Sequence, residues 1–165
     1  MIDRVERRSG DVFHIRPIAF EISRSAREAM AHDKGLVEDD WDAASEHFGL
    51  YAGLQLIGTY RVVAPRDGRL PLNEHAPCVP VETSDRQVGR FVTSRPLLTL
   101  TNRAAFFAAY VDQLRQAPGR TYVATAENGP ISARRWEQLG FVRTGESYSD
   151  PRYRAPLLIM VRSPG

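Results

Sequence analysis

The sequence has a single cysteine, a single lysine and no long apolar run. One thiol, Cys78, excludes an internal disulfide and the whole class of disulfide-stapled secreted domains. It fits a reducing compartment, so a cytoplasmic location is expected. No apolar stretch approaches the ~20 residues that cross a bilayer. The opening Met1-Ile2-Asp3-Arg4-Val5-Glu6-Arg7-Arg8 mixes charges and leads into no apolar core, unlike a secretory signal. His-x-x-His and Cys-x-x-Cys spacings are missing, and His14 and His75 have no partner pattern, so no metal site is expected. Internal repeats and interdomain linkers are also missing. A chain of 165 residues then reads as one domain over residues 1–165, long enough to bury a sizeable core.

What is present is an uneven distribution of charge. Residues 1–85 hold 10 Lys or Arg against 15 Asp or Glu, a balance of −5. Residues 86–165 hold 12 Arg against 5 acids, a balance of +7. Opposite signs imply two binding faces, a basic one for a phosphate-bearing or acidic partner and an acidic one for a cationic amine. No basic cluster with interleaved aromatics occurs, which argues against nucleic acid.

Periodicity gives an α/β order. Residues 11–16 alternate apolar and polar like a half-buried strand, and residues 18–33 read as a helix with Ile18, Ile22, Ala26, Ala29 and Met30 near one face. An acidic loop follows over 37–42. Residues 47–53 and 56–63 form a strand hairpin turning at Ala52-Gly53. Residues 65–85, with Pro65, Pro71, Pro77 and Pro80, read as an irregular loop. A strand over 87–94, a helix over 101–116 ended by Pro118-Gly119, a strand over 120–126, a helix over 131–139 and strands over 141–147 and 156–162 complete the chain. The predicted order is β-α-β-β-β-α-β-α-β-β, a mixed sheet with helices on its faces. The last strand is a candidate for pairing between chains.

The segment Ser132-Ala133-Arg134-Arg135-Trp136-Glu137-Gln138-Leu139-Gly140-Phe141 follows a strand, and Gly140 stands where a helix stops and a positive φ is needed. This strand, helix, Leu-Gly-Phe, strand arrangement resembles the last conserved segment of the GNAT N-acyltransferase superfamily. Three further stretches are similar to motifs of the autoinducer (acyl-homoserine lactone) synthases and long-chain N-acyl amino acid synthases. Asp39-Asp40-Trp41-Asp42 matches an Asp-x-x-Asp with an aromatic between. Gly58-Thr59-Tyr60-Arg61 matches a strand "GxxR". Gln87-Val88-Gly89-Arg90-Phe91 matches "E-x-S-R-F", with Gln87 and Gly89 in place of the Glu and Ser. The resemblance spans roughly residues 20–143. Glu28 and Leu36 fall near the places where autoinducer synthases carry an arginine and a tryptophan. Trp136 stands where many of the superfamily carry a tyrosine acid.

The resemblance implies a single-domain, mostly antiparallel mixed sheet flanked by helices. It implies transfer of an acyl group from a pantetheine thioester, acyl-CoA or acyl carrier protein, to the amine of a small molecule such as an amino acid, without a metal. Attack makes an oxyanion, which backbone N–H groups of a splayed central strand stabilise, and Gly89 permits a bulge there. Asp42, Glu46, Arg90 and Phe91 are then the catalytic candidates, with Asp42, Glu46 and His47 nearest to hand as proton acceptors. Asp39, Trp41, Arg61, Val92 and Trp136 are candidates for holding the acceptor. Arg61 and Arg90 lie inside apolar strands, where arginine is expensive unless paired, and Asp39, Asp42 or Glu21 are the expected partners. Thr93, Arg95, Thr101, Asn102 and Arg103 are candidates for the phosphopantetheine, with Thr99 or Thr101 capping a helix N-terminus that binds phosphate. Tyr51, Tyr60, Tyr148 and Tyr153 read as packing residues. Two other functions fit the same residues: a catalytically silent binding domain, suggested by Gln87 and Trp136, and an acetyl-CoA-dependent amine acetyltransferase.

Overall fold

Eight strands are found among the described residues of the computed structural model, which describes Val5–Glu6 and residues 12–30, 38–94, 110, 114–129 and 131–165. In hydrogen-bonded order the strands run β1-β2-β3-β4-β5-β6-β8-β7. The chain forms two compact units, Met1–Arg61 with Arg90–Gln116, and Val62–Gly89 with Ala117–Gly165. Strands β4 and β5 supply residues to both.

In the first unit, β1 (Val5–Glu6) pairs antiparallel with β2 (Val12–Ile18), and β2 pairs antiparallel with β3 (Glu46–Ala52) from Phe13↔Ala52 to Ile18↔His47. Two residues are too few to show alternation, so β1 is invisible in the sequence. β3 turns at Gly53-Leu54, one residue later than the sequence indicates, into β4 (Gln55–Val63). Gly53 takes φ 59°, which a side chain would resist. β5 (Arg86–Thr93) follows in sequence, and Ser94 donates its N–H to the Ile57 carbonyl at 2.8 Å.

One face of these strands is aromatic. Phe48 stacks on Tyr60 and Tyr60 on Phe91, each at 5.2 Å between ring centres, and Tyr110 meets Tyr60 and Phe91 edge-on. Each such contact adds about 0.5–1.5 kcal/mol beyond area burial. Tyr110 and Leu114 are helical and buried, as the expected helix over 101–116 requires; its first part lies outside the described residues.

Helix α1 (Phe20–Met30) departs from expectation. It buries Ser23, Ala26 and Arg27, while Ile22 is 45% exposed and Ala29 is exposed. The buried face is set by an ion pair of Arg27 rather than by apolar spacing.

In the second unit β5 runs parallel to β6 (Thr121–Thr125), and this ladder consists of Arg86↔Thr121 and Gln87↔Tyr122. β6 pairs antiparallel with β8 (Leu157–Arg162), which pairs antiparallel with β7 (Val142–Tyr148). Among the described ladders β5–β6 is the parallel one, so the sheet is mixed and mostly antiparallel. The C-terminal strand β8 is therefore internal, contrary to expectation; β7 holds the edge because the chain returns inside it. Helix α2 (Ala133–Gln138) is capped by Ser132, whose side chain accepts from the Arg135 N–H. Gly140 takes φ 90° and releases the chain to Phe141, which packs edge-on against Trp136.

The proline-rich segment is better built than a loop of its composition suggests. Pro71–Glu74 form a 3-10 turn that drives Leu70 and Leu72 into a core with Ala76, Val79, Tyr122 and Ile159. Asn73 holds it, accepting from Leu70 N–H and donating to the Ala76 and Val79 carbonyls. Cys78 is exposed. Among the described residues no helix is long and apolar enough to cross a membrane, and no cluster of three or more His, Cys, Asp or Glu is placed to hold a metal ion.

Candidate functional site

Five charged side chains meet inside the first unit. β4 alternates, so Tyr60 joins the aromatic face and Arg61 points to the other. There Arg61 donates to both oxygens of Asp39, from Nη1 to Oδ1 at 2.5 Å and from Nη2 to Oδ2 at 2.9 Å, and from Nη1 to Asp42 Oδ1 at 2.8 Å. Asp39 and Asp42 reach it because a short 3-10 turn, Asp42–Ala44, folds the acidic loop on itself. In that fold Asp42 Oδ2 accepts the Asp39 N–H and Asp39 Oδ1 accepts the Trp41 N–H. Arg27 of α1 donates to Asp42 Oδ1 at 2.9 Å, and both of these side chains are almost wholly buried. Arg90 of β5 donates from Nη2 to Asp39 Oδ2 at 2.6 Å.

The ionisation of the network follows from these bonds. Burial alone would raise both carboxylates. For Asp39 the bonds and charges of Arg61 and Arg90 overcome it and hold the group well below the ordinary range. For Asp42 the Arg61 charge, the Asp39 N–H and Arg27 do the same. Arg61 is raised, because its two carboxylates outweigh its burial. Arg27 is lowered, first by burial; Asp42 opposes this, while the like charges of Arg61 and Arg90 add to it.

His47 lies beside Arg27. A carbonyl can only accept, so the imidazole proton sits on Nε2, facing the Asp42 carbonyl at 2.9 Å. Nδ1 then faces the Arg27 Nη2 donor at 3.4 Å. Burial lowers the His47 pKa, and the ring is neutral at pH 7.

These facts limit what the network can do. Asp39 and Asp42 are held below the ordinary carboxylate range by their donors, which makes both weak bases toward an amine at neutral pH. The His47 lone pair faces Arg27. The negative charge is matched within the network, so it offers a cationic substrate little. The arrangement instead fixes the guanidinium of Arg90, which adopts φ 55°, a left-handed conformation rare for a side chain-bearing residue and found where function over-determines the backbone.

The sequence candidates are distributed as follows. Asp39, Asp42, Arg61 and Arg90 come together in the network, and Glu21 takes no part in its bonds. Trp41 is buried at the start of the 3-10 turn. Phe91 is in the aromatic stack, and Val92 and Thr93 continue β5, half-buried. Glu46 is exposed at the first position of β3. Trp136, in the second unit, is 2% exposed against Phe141. Arg95, Thr99, Thr101, Asn102 and Arg103 lie outside the described residues. Gln87 accepts the Leu72 N–H at 2.9 Å and so anchors the proline-rich segment. The residue that sequence reasoning missed is Arg27, one position before Glu28. An arginine four residues after Ser23 and beside Ala26 was the available signal.

No family model matches the chain, and no curated protein matches it. Solved structures do. FeeM, an N-acyl amino acid synthase from uncultured soil microbes, superposes with TM-score 0.59 at 15% identity, covering 93% of this chain and 91% of FeeM. AAC(6')-Ib in complex with ribostamycin and coenzyme A gives TM-score 0.62 at 14% identity, covering 92% and 93%. A GNAT family acetyltransferase from Elizabethkingia anophelis with acetyl-CoA bound gives 0.59 at 10% identity, covering 92% and 97%. The fold is that of the GNAT acetyltransferases.

Proposed function

We propose that the protein is an N-acyltransferase that moves an acyl group from a pantetheine thioester to a small amine. The observation that carries this reading is the break in β5, on a fold shared with acetyltransferases. Its ladder with β6 ends at Gln87, so from Val88 the strand has backbone groups outside that ladder. On its other edge Ser94 donates to β4. Successive N–H groups alternate in direction, so the Thr93 N–H points to the edge away from β4. Backbone donors on that edge would hold the pantetheine amides and stabilise the oxyanion.

In the reaction the amine nitrogen forms a bond to the thioester carbonyl carbon and the carbon–sulfur bond breaks. The amine gives up a proton and the departing thiolate takes one up. Glu46 is the remaining sequence candidate for receiving the amine proton, since it is exposed and apart from the ion pairs. Arg90, Phe91 and Val92 would align the thioester beside the acceptor, with Trp41 as a packing support. The fit of Arg95, Thr101, Asn102 and Arg103 to a pantetheine phosphate rests on the sequence. A carrier-protein donor, as in the autoinducer-synthase branch, is the finer form of the proposal.

The test is incubation with acetyl-, hexanoyl- and longer acyl thioesters, on coenzyme A and on carrier protein, against a pool of amino acids and polyamines. Mass spectrometry then reads new amides. An amide establishes the transferase, and chain-length preference separates a long-chain synthase from an acetyltransferase. Thioester binding without any amide selects the catalytically silent domain, a reading favoured by the structural use of the Gln87 amide.

A further inference from the structure

The described ladder between β5 and β6 has its rungs at Arg86↔Thr121 and Gln87↔Tyr122. Parallel bonds over so short a stretch are a weak hold, so the point at which β5 leaves β6 needs support from outside the ladder. Side chains supply it at both rungs. At the first, Arg86 Nε donates to Thr121 Oγ1 at 3.2 Å. Just before it, Asp85 accepts the Arg120 N–H at 2.9 Å and the Arg120 guanidinium at 2.8 Å. At the second, Gln87 Oε1 accepts the Leu72 N–H at 2.9 Å, and the Tyr122 hydroxyl donates to the Pro80 carbonyl at 2.8 Å.

Register partners send their side chains to the same face of a sheet. Here the two partners of the last rung hold opposite ends of one segment, Leu72 to Pro80. Asn73 braces that segment from within, accepting the Leu70 N–H and donating to the Ala76 and Val79 carbonyls. Leu70, Leu72, Ala76 and Val79 share a buried cluster with Tyr122. The proline-rich segment is therefore a braced strap laid over the last rung, fastened to β5 at one end and to β6 at the other.

We propose that this strap sets the place where β5 departs from β6, with Gln87 and Tyr122 as positioning residues for the edge of β5 that begins at Val88. The effect on turnover rests on the acyl-transfer reading; the clamp itself does not. Loosening either end lets the rung open and lowers the fraction of molecules with the edge preformed. A ligand that binds only that fraction loses apparent affinity in proportion. The bound complex then reacts as before, so positioning shows as a higher KM for the donor at unchanged kcat.

The experiment compares the wild-type chain with Gln87→Leu, Tyr122→Phe, the double variant and Gln87→Glu, which keeps an acceptor at the same reach. Tyr122→Phe removes one hydroxyl and keeps the ring in its cluster, so it tests the clamp even where Gln87→Leu unfolds. Amide hydrogen exchange is followed without ligand at Leu72 and across Arg86–Val88 and Thr121–Val123. Each single deletion should quicken exchange across the rung by about two- to tenfold, the net worth of one neutral hydrogen bond. Gln87→Glu should restore the slow exchange. The double variant should depart from the product of the two single effects, because both release the same rung. Exchange that quickens at Leu72 alone overturns the proposal, as do single effects that simply multiply. With the acyl thioesters above, both deletions should raise the donor KM by a similar factor; a fall in kcat at unchanged KM overturns the positioning role. A quickened, coupled rung with no amide formed by any form of the protein keeps the clamp and overturns the acyl-transfer reading instead.

Discussion

Arg90 allows a test in which the usual order of two small residues inverts. Arg90→Ala and Arg90→Gly both delete the bond to Asp39 and the rest of the guanidinium, so those effects cancel in the comparison. What remains is the backbone at φ 55°. A side chain-bearing residue in the left-handed region costs about 1–2 kcal/mol, and glycine avoids this. Against it, alanine gains about 0.4–1 kcal/mol over glycine by restricting the unfolded chain. The balance favours Arg90→Gly by roughly 0.8 kcal/mol, or a Tm about 2 °C higher for a chain of this size. Urea unfolding at equal m-values measures it, with Val92→Ala and Val92→Gly as the control pair. Val92 has no positive φ, so there alanine should be the more stable. If Arg90→Ala equals or exceeds Arg90→Gly in stability, the backbone at position 90 is not strained.

Other outcomes follow from the same contacts. Asp42→Asn leaves Arg27 and Arg61 buried with too little negative charge and should cost about 3–5 kcal/mol in denaturant unfolding. Asp39 and Asp42 titrate below their ordinary values in the folded state, so on acidification the unfolded chain binds protons first. Their stabilisation is complete above about pH 4 and lost as pH falls further, and Asp42→Asn should flatten this acid limb. Gln87→Leu removes the acceptor of the Leu72 N–H and should destabilise by about 1–3 kcal/mol. Gly140→Ala meets φ 90° with a Cβ 3.3 Å from Arg162 Nε and should lower stability by about 1 kcal/mol in thermal unfolding.

Much of the sheet was legible from residue order. The hairpin of β3 and β4 shows in alternation around Ala52-Gly53, and α2 with Gly140-Phe141 shows in its cap and its glycine stop. The pairing of Arg61 and Arg90 with Asp39, and of Arg61 with Asp42, was also readable, because charged residues inside apolar strands demand partners. The inward face of α1 was not. Hydropathy counts Arg27 as a surface residue, and only the three-dimensional placement of Asp42 pulls it inside and leaves Ile22 in water. Leu70 and Leu72 were hidden because prolines and Asn73 read as loop chemistry while Asn73 in fact ties a turn to the core. The role of Asp42 as a base also looked open in sequence. The bonds from Arg27 and Arg61 argue against it, because they lower the affinity of the carboxylate for a proton.

The central claim is that the edge of β5 beyond Gln87 receives the pantetheine arm. Amide hydrogen exchange of the protein, alone and with a non-cleavable thioether analogue of acyl-CoA, tests it directly. The account predicts slowed exchange at amides between Val88 and Thr93, with Thr93 among them. Binding of the analogue with unchanged exchange along that stretch would contradict it.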